Sequence, residues 1–115
     1  MGIQKFEDIL SWQKWQVLAK EIYLCFRESR DFSFRDQIQR AAVSISSNIA
    51  EGFERQTNNE FRYFLYVAKW SCGEFRSLLI LGQQLGYLQD EKFDELYNLS
   101  VETSRLIAAF IKSIK

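Results

Sequence analysis

The chain of 115 residues contains no histidine and no proline, only five glycines, two cysteines and one methionine. It has no surplus of charge either, with 15 Lys and Arg residues against 15 Asp and Glu. Each scarcity excludes something. Without histidine there is no Ser-His triad, no imidazole general base and no His-ligated metal, and the Glu-x-x-His signature of di-iron bundles cannot be written. No glycine-rich phosphate loop is present. The acids are scattered, with no facing Glu-x-x-Glu motifs to hold Mg²⁺. The expectation is a protein that is not an enzyme and carries no metal or cofactor. A compact all-β domain would need more turn residues than these. Cys25 and Cys72 match no metal spacing and read as buried free thiols of a reducing compartment. No apolar run approaches the ~20 residues of a membrane span, so a cytoplasmic location without membrane contact is expected. Electroneutrality, with no basic tail or block, argues against binding driven by phosphate neutralisation.

What is abundant is apolar surface. Hydrophobic residues make up 47% of the chain and aromatics 16%, enough for one self-sufficient core in a single domain spanning residues 1–115. Apolar residues recur at helical spacing in four segments. The first runs from about Glu7 to Glu28, with Trp15, Leu18, Ile22, Cys25 and Phe26 on one line. Leu10, Val17 and Leu24 form a second line on roughly the other side, as in a helix that is central or packed on two partners. After the loop Ser29–Ser33, the second segment spans Phe34 to Glu54. Its line is Phe34, Ile38, Ala41, Ala42, Ile45, Ile49, Gly52 and Phe53. Thr57 and Glu60 form a capping box that opens a third helix from Asn58 to Leu85, closed by Gly86. Phe61, Phe64, Leu65, Ala68, Cys72, Phe75, Leu78, Leu79 and Gly82 line its core face, edged by Ser71 and Glu74. Asp90 is expected to cap a fourth helix that ends near Ile114, acidic in its first turn and basic in its last through Lys112 and Lys115. Short loops between such helices predict an all-α, antiparallel, up-down-up-down four-helix bundle.

The stretch Val43–Arg55, VSISSNIAEGFER, is unusually polar for a helix of this kind. At ~100° per residue, Arg40, Ser44, Asn48, Glu51 and Arg55 fall on one narrow stripe beside the core line. Ser44–Asn48 and Glu51–Arg55 are i, i+4 pairs. One account makes Ser44, Asn48 and Glu51 a hydrogen-bonded stripe at a helix–helix or subunit interface, where each group must find its partner and so fixes register. Gly52 would let another backbone approach, at a helix cost of about 1 kcal/mol relative to Ala. The other account is a small-ligand site using Asn48 and Glu51. Ser71 and Glu74 join the interface set on the third helix.

Aromatic residues exceed what one bundle interior holds. Trp12, Trp15, Tyr23, Tyr63, Tyr66, Trp70, Tyr87 and Tyr97 cannot all be central, and those left outside mark an interface. Self-association is therefore expected, along with a protein partner.

DQIQRAAVSISSNIAEGFER resembles the signature of the family of small four-helix-bundle proteins encoded within 23S rRNA intervening sequences. The resemblance extends through the early WQKWQVLAKEIY and the EFRYFLYVAKWSCGEFRSLLILGQQLGYL of the third helix, and covers nearly the whole chain. Two positions depart from the pattern: Ser46 replaces a frequent proline, and Trp70-Ser71 replaces Gly-Ser. The resemblance implies an antiparallel bundle that assembles into rings, with five subunits as the expectation. It also implies no established biochemical activity. The chain is similar as well to the accessory protein of diversity-generating retroelements, a basic pentameric bundle that partners a reverse transcriptase and binds nucleic acid. The leading functional expectation is a non-enzymatic oligomeric scaffold or adaptor acting through protein contacts. The alternative is an RNA- or DNA-associated accessory factor that gathers Arg35, Arg40, Arg55, Arg62 and Arg76 around a ring.

Overall fold

The computed structural model describes residues 2–114. A short 3-10 turn, Phe6–Asp8, precedes four helices: α1 Leu10–Cys25, α2 Phe32–Phe53, α3 Asn58–Gln84 and α4 Asp90–Ser113. No strand occurs among the described residues. Each helix packs on its neighbours in the chain and α4 closes back on α1, which leaves α1 and α3 at opposite corners of a square. Side-chain bonds fix the antiparallel sense. Arg62 near the start of α3 donates to the Ile114 carbonyl beyond α4 at 3.1 Å, and Lys92 near the start of α4 reaches Glu21 late in α1 at 3.1 Å. The bundle measures 45 × 23 × 19 Å.

Several helix ends differ from the sequence-based expectation, each for a local reason. The first helix begins at Leu10 rather than Glu7. Ile9 is extended (φ −76°, ψ 120°) and its side chain is buried, so the chain turns to plug the core before the helix starts. It also ends at Cys25, three residues early. The second helix starts at Phe32 because Asp31, expected in the loop, is its N-cap and accepts from the Phe34 N–H at 3.1 Å. Thr57 caps α3 as its sequence suggested, its Oγ1 accepting from the Glu60 N–H at 3.1 Å. Gly86 takes φ 80°, and the Tyr87 N–H bonds the Gly82 carbonyl at 2.8 Å while the Gly86 N–H bonds Gln83 at 3.0 Å. That is a Schellman stop. Asp90 is not the cap of α4. Gln89 holds that position without a side-chain bond, and Asp90 is the first helical residue, accepting from Gln83 at 3.3 Å. Lys115 lies outside the described residues.

Trp15, Leu18 and Ile22 of α1, Ile38, Ile45 and Ile49 of α2, Leu65, Phe75 and Leu79 of α3, and Leu96 and Ile107 of α4 are fully buried. Trp15 and Phe75 meet edge to face across the diagonal, with ring centroids 5.3 Å apart. Such pairs add ~0.5–1.5 kcal/mol beyond burial. The bundle is tightest between α2 and α3, where a Cβ on Gly52 would lie 2.7 Å from the Phe64 Cβ and 3.3 Å from the Phe61 carbonyl oxygen. The buried hydroxyls of α4 are satisfied within their own helix: Ser100 donates to the Tyr97 carbonyl at 2.7 Å and Thr103 to Leu99 at 2.9 Å, whereas on α1 Ser11 Oγ and Trp15 Nε1 are buried without a hydrogen-bond partner among the described residues. Phe61, Phe64, Leu78 and Phe110 sit at the rim, half-buried, and so does Cys25, which had been expected inside with Cys72.

Candidate interaction surfaces

The polar stripe of α2 lies on the outside of the bundle. Asn48, half-buried, donates to the Ser44 carbonyl at 2.7 Å and to Ser44 Oγ at 3.1 Å. Glu51 is exposed and pairs with Arg55 at 3.0 Å. Arg55 also lies over the Phe64 ring of α3, 4.7 Å from its centroid. Among the described residues, therefore, the hydrogen bonds of these groups run along α2, and only the Arg55 guanidinium reaches across to α3. Gly52 alone faces inward, onto α3. Ser71 is half-buried and Glu74 is exposed, without an ion pair among the described residues.

The five arginines do not converge. Arg62 and Arg76 bond inward to α4 or its end, Arg62 to the Ile114 carbonyl and Arg76 to Ser104 Oγ at 2.8 Å. Arg35 pairs with Asp36 at 3.4 Å and lies 4.9 Å over the Phe32 ring. Arg55 is held by Glu51. Arg40 makes no hydrogen bond or ion pair among the described residues.

The outward faces of α1 and α3 are apolar. On α1, Leu10, Val17 (59% exposed) and Leu24 form a straight stripe, with Lys20 beside it. This is the second apolar line seen in the sequence, and it packs on no other helix of the chain. On α3, Tyr63, Tyr66, Trp70 (64% exposed), Leu81 and Leu85 share one face. Tyr66 and Trp70 stack on each other at 6.2 Å, and Glu74 falls in the same line. Leu81, Leu85 and Lys20 were not singled out from the sequence; counting at ~100° per residue from Trp70 and Val17 would have found them. Trp15, in contrast, is wholly buried, and Trp12 and Tyr97 are half-buried.

Burial pushes the Cys72 thiol up to about 11 and raises Cys25 as well. At one end of the bundle the Tyr87 hydroxyl donates to Asp31 Oδ2 at 2.6 Å, which lowers the Asp31 carboxyl and raises the phenol. Among the described residues no group of three Cys, Asp or Glu side chains is placed to hold a metal ion, and no helix is long and apolar enough to cross a membrane.

This is an antiparallel four-helix bundle whose outward helices carry apolar surface. The sequence model of the 23S rRNA-intervening sequence proteins matches residues 7–109, and the chain belongs to that family. It is also similar to a solved structure from Bacteroides thetaiotaomicron, described as a protein of unknown function from the S23 ribosomal protein family. The two share 26% identity at a TM-score of 0.83, over 90% of this chain and 96% of that one. No curated protein matches.

Proposed function

We propose that the protein is a non-enzymatic scaffold that assembles head to tail into a closed ring, the outer face of α1 on one subunit packing on the outer face of α3 of the next. The observation that carries this reading is the pair of exposed apolar stripes on opposite corners of the bundle. Because they differ and point apart, a two-fold contact would bury one and leave the other in water. A heterologous contact buries both, and such contacts close into rings or run on as filaments. The charges agree: Lys20 edges the α1 stripe and Glu74 sits in the α3 stripe, and neither has an ion pair among the described residues. A stable contact needs about 800 Å² per partner, roughly a ninth of the 7080 Å² subunit surface. Five subunits is the expected count, as the family resemblance implies. The nucleic-acid alternative draws less support, since four of its five arginines are engaged within the chain.

Light scattering on the purified protein tests this. Five chains of 13.7 kDa should give about 69 kDa, whereas a clean 13.7 kDa monomer would overturn the reading. Val17→Glu and Trp70→Glu should each yield monomers. Mixing the two variants should restore one good contact and give a pair of about 27 kDa, two chains of 13.7 kDa. An isologous dimer could not be rebuilt in this way.

A further inference from the structure

About 100° round α1 from the Leu10–Val17–Leu24 stripe, on the side turned toward α2, two shallow cavities of about 410 and 270 Å³ share Tyr23 and Gln39 and form one groove. Its rim is basic, with Arg27, Arg35 and Arg40. Asp36 is its one acid and is engaged by Arg35 at 3.4 Å. Arg27 and Arg40 have no hydrogen bond or ion pair among the described residues. Farther along the same face of α2, where Gln39, Val43, Ala50 and Glu54 fall within about 60°, a third cavity of about 400 Å³ is lined by Phe6, Ala50, Glu51, Glu54 and Arg55. There Arg55 is neutralised by Glu51 at 3.0 Å and Glu54 has no ion pair among the described residues, so this end is acidic. Arg40 and Glu54 are separated by about 21 Å along the helix, four turns at 1.5 Å per residue.

We propose that this groove docks an amphipathic helical segment of a partner protein, about four turns long, acidic at one end and basic at the other. Tyr23, Val43, Ala50 and Phe6 supply the apolar floor that receives residues at helical spacing. The charge split sets the direction in which the segment lies. It also selects against a nucleic acid, whose uniform negative backbone would gain at Arg27 and Arg40 and be repelled at Glu54. The groove is complete on one subunit and meets the stripes assigned to assembly only at Leu24, so a partner can dock there without that assembly.

The test is selection of helical peptides of about 18 residues, five turns, from a display library against the full chain. Enriched peptides are expected to carry Leu, Ile or Phe at i, i+3/i+4 and i+7, acids at one end and bases at the other. The best of them, labelled with fluorescein, should lose about tenfold in affinity to Arg27→Glu/Arg40→Glu and to Glu54→Lys. All three positions are exposed, so thermal unfolding of the variants should match the parent. Binding should persist in the Val17→Glu chain, whatever its assembly state. The proposal is overturned if no peptide is enriched, if the binders lack the charge split or ignore these substitutions, or if Val17→Glu abolishes binding. A single-stranded RNA that binds more tightly than any peptide and is lost in Arg27→Glu/Arg40→Glu would overturn it in favour of a nucleic-acid groove.

Discussion

Gly52 sets two effects against each other, and the geometry decides between them. Replacing a mid-helix glycine by alanine gains about 1 kcal/mol of helix propensity. At Gly52, however, the new Cβ would lie 2.7 Å from the Phe64 Cβ, 3.0 Å from Phe61 Cδ1 and 3.3 Å from the Phe61 carbonyl oxygen. The Phe64 Cβ and the Phe61 carbonyl belong to α3 itself and cannot rotate away. Relief requires α2 and α3 to separate at their closest point, and overpacking of this sort costs about 1–3 kcal/mol, occasionally more. The net expectation is a loss of up to about 2 kcal/mol, which at about 4–8 °C per kcal/mol lowers the melting temperature by up to roughly 16 °C. Gly73 is the control: it too lies within a helix, α3, and nothing lies within 4 Å of its added Cβ. Gly73→Ala should therefore raise stability by up to about 1 kcal/mol. Both changes are best made in the Trp70→Glu chain, so that self-association does not mask folding, and followed by urea unfolding with far-ultraviolet circular dichroism. If Gly52→Ala stabilises as much as Gly73→Ala, the close approach of α2 and α3 is wrong.

Asn48→Ala and Glu51→Ala should leave subunit stability within about 0.5 kcal/mol of the parent, because Asn48 bonds only its own helix and the Glu51–Arg55 pair is exposed. A larger drop in melting temperature in the Trp70→Glu background would show that the stripe has partners besides those in α2. With its thiol pushed up to about 11, Cys72 should resist alkylation at pH 8, where about one molecule in a thousand is thiolate. Half-buried Cys25 should label first, as peptide mass mapping would reveal. Tyr87→Phe removes the hydrogen bond that lowers the Asp31 carboxyl. A lowered folded-state value means stability present above the unfolded value and lost as pH falls through the folded one. The parent's advantage over Tyr87→Phe should thus be constant near neutrality and shrink below about pH 4. A difference that stays flat down to pH 2 would refute the coupling.

Helical periodicity, the Thr57–Glu60 box and Gly86 are local signals. They depend on 3.6-residue spacing and on backbone groups within a turn, so four helices and three short loops were legible in the sequence, as was the family signature around Asn48–Gly52. The i, i+4 bonds of Ser44–Asn48 and Glu51–Arg55 were legible for the same reason. Packing decided the rest. That the Leu10–Val17–Leu24 line faces outward follows from α1 occupying a corner between α2 and α4, with its inner face turned to the core, which no pattern within α1 specifies. The burial of Trp15 beside an exposed Trp70 depends on which corner each helix occupies. The late start of α1 after Ile9 and the capping role of Asp31 depend on a side chain finding the core and on a loop folding back. The inward bonds of Arg62 and Arg76, to groups 52 and 28 residues away, are long-range as well. One sequence lists the charges of a chain; only the assembled bundle determines which of them are already neutralised and which, like Arg27, Arg40 and Glu54, are left facing water.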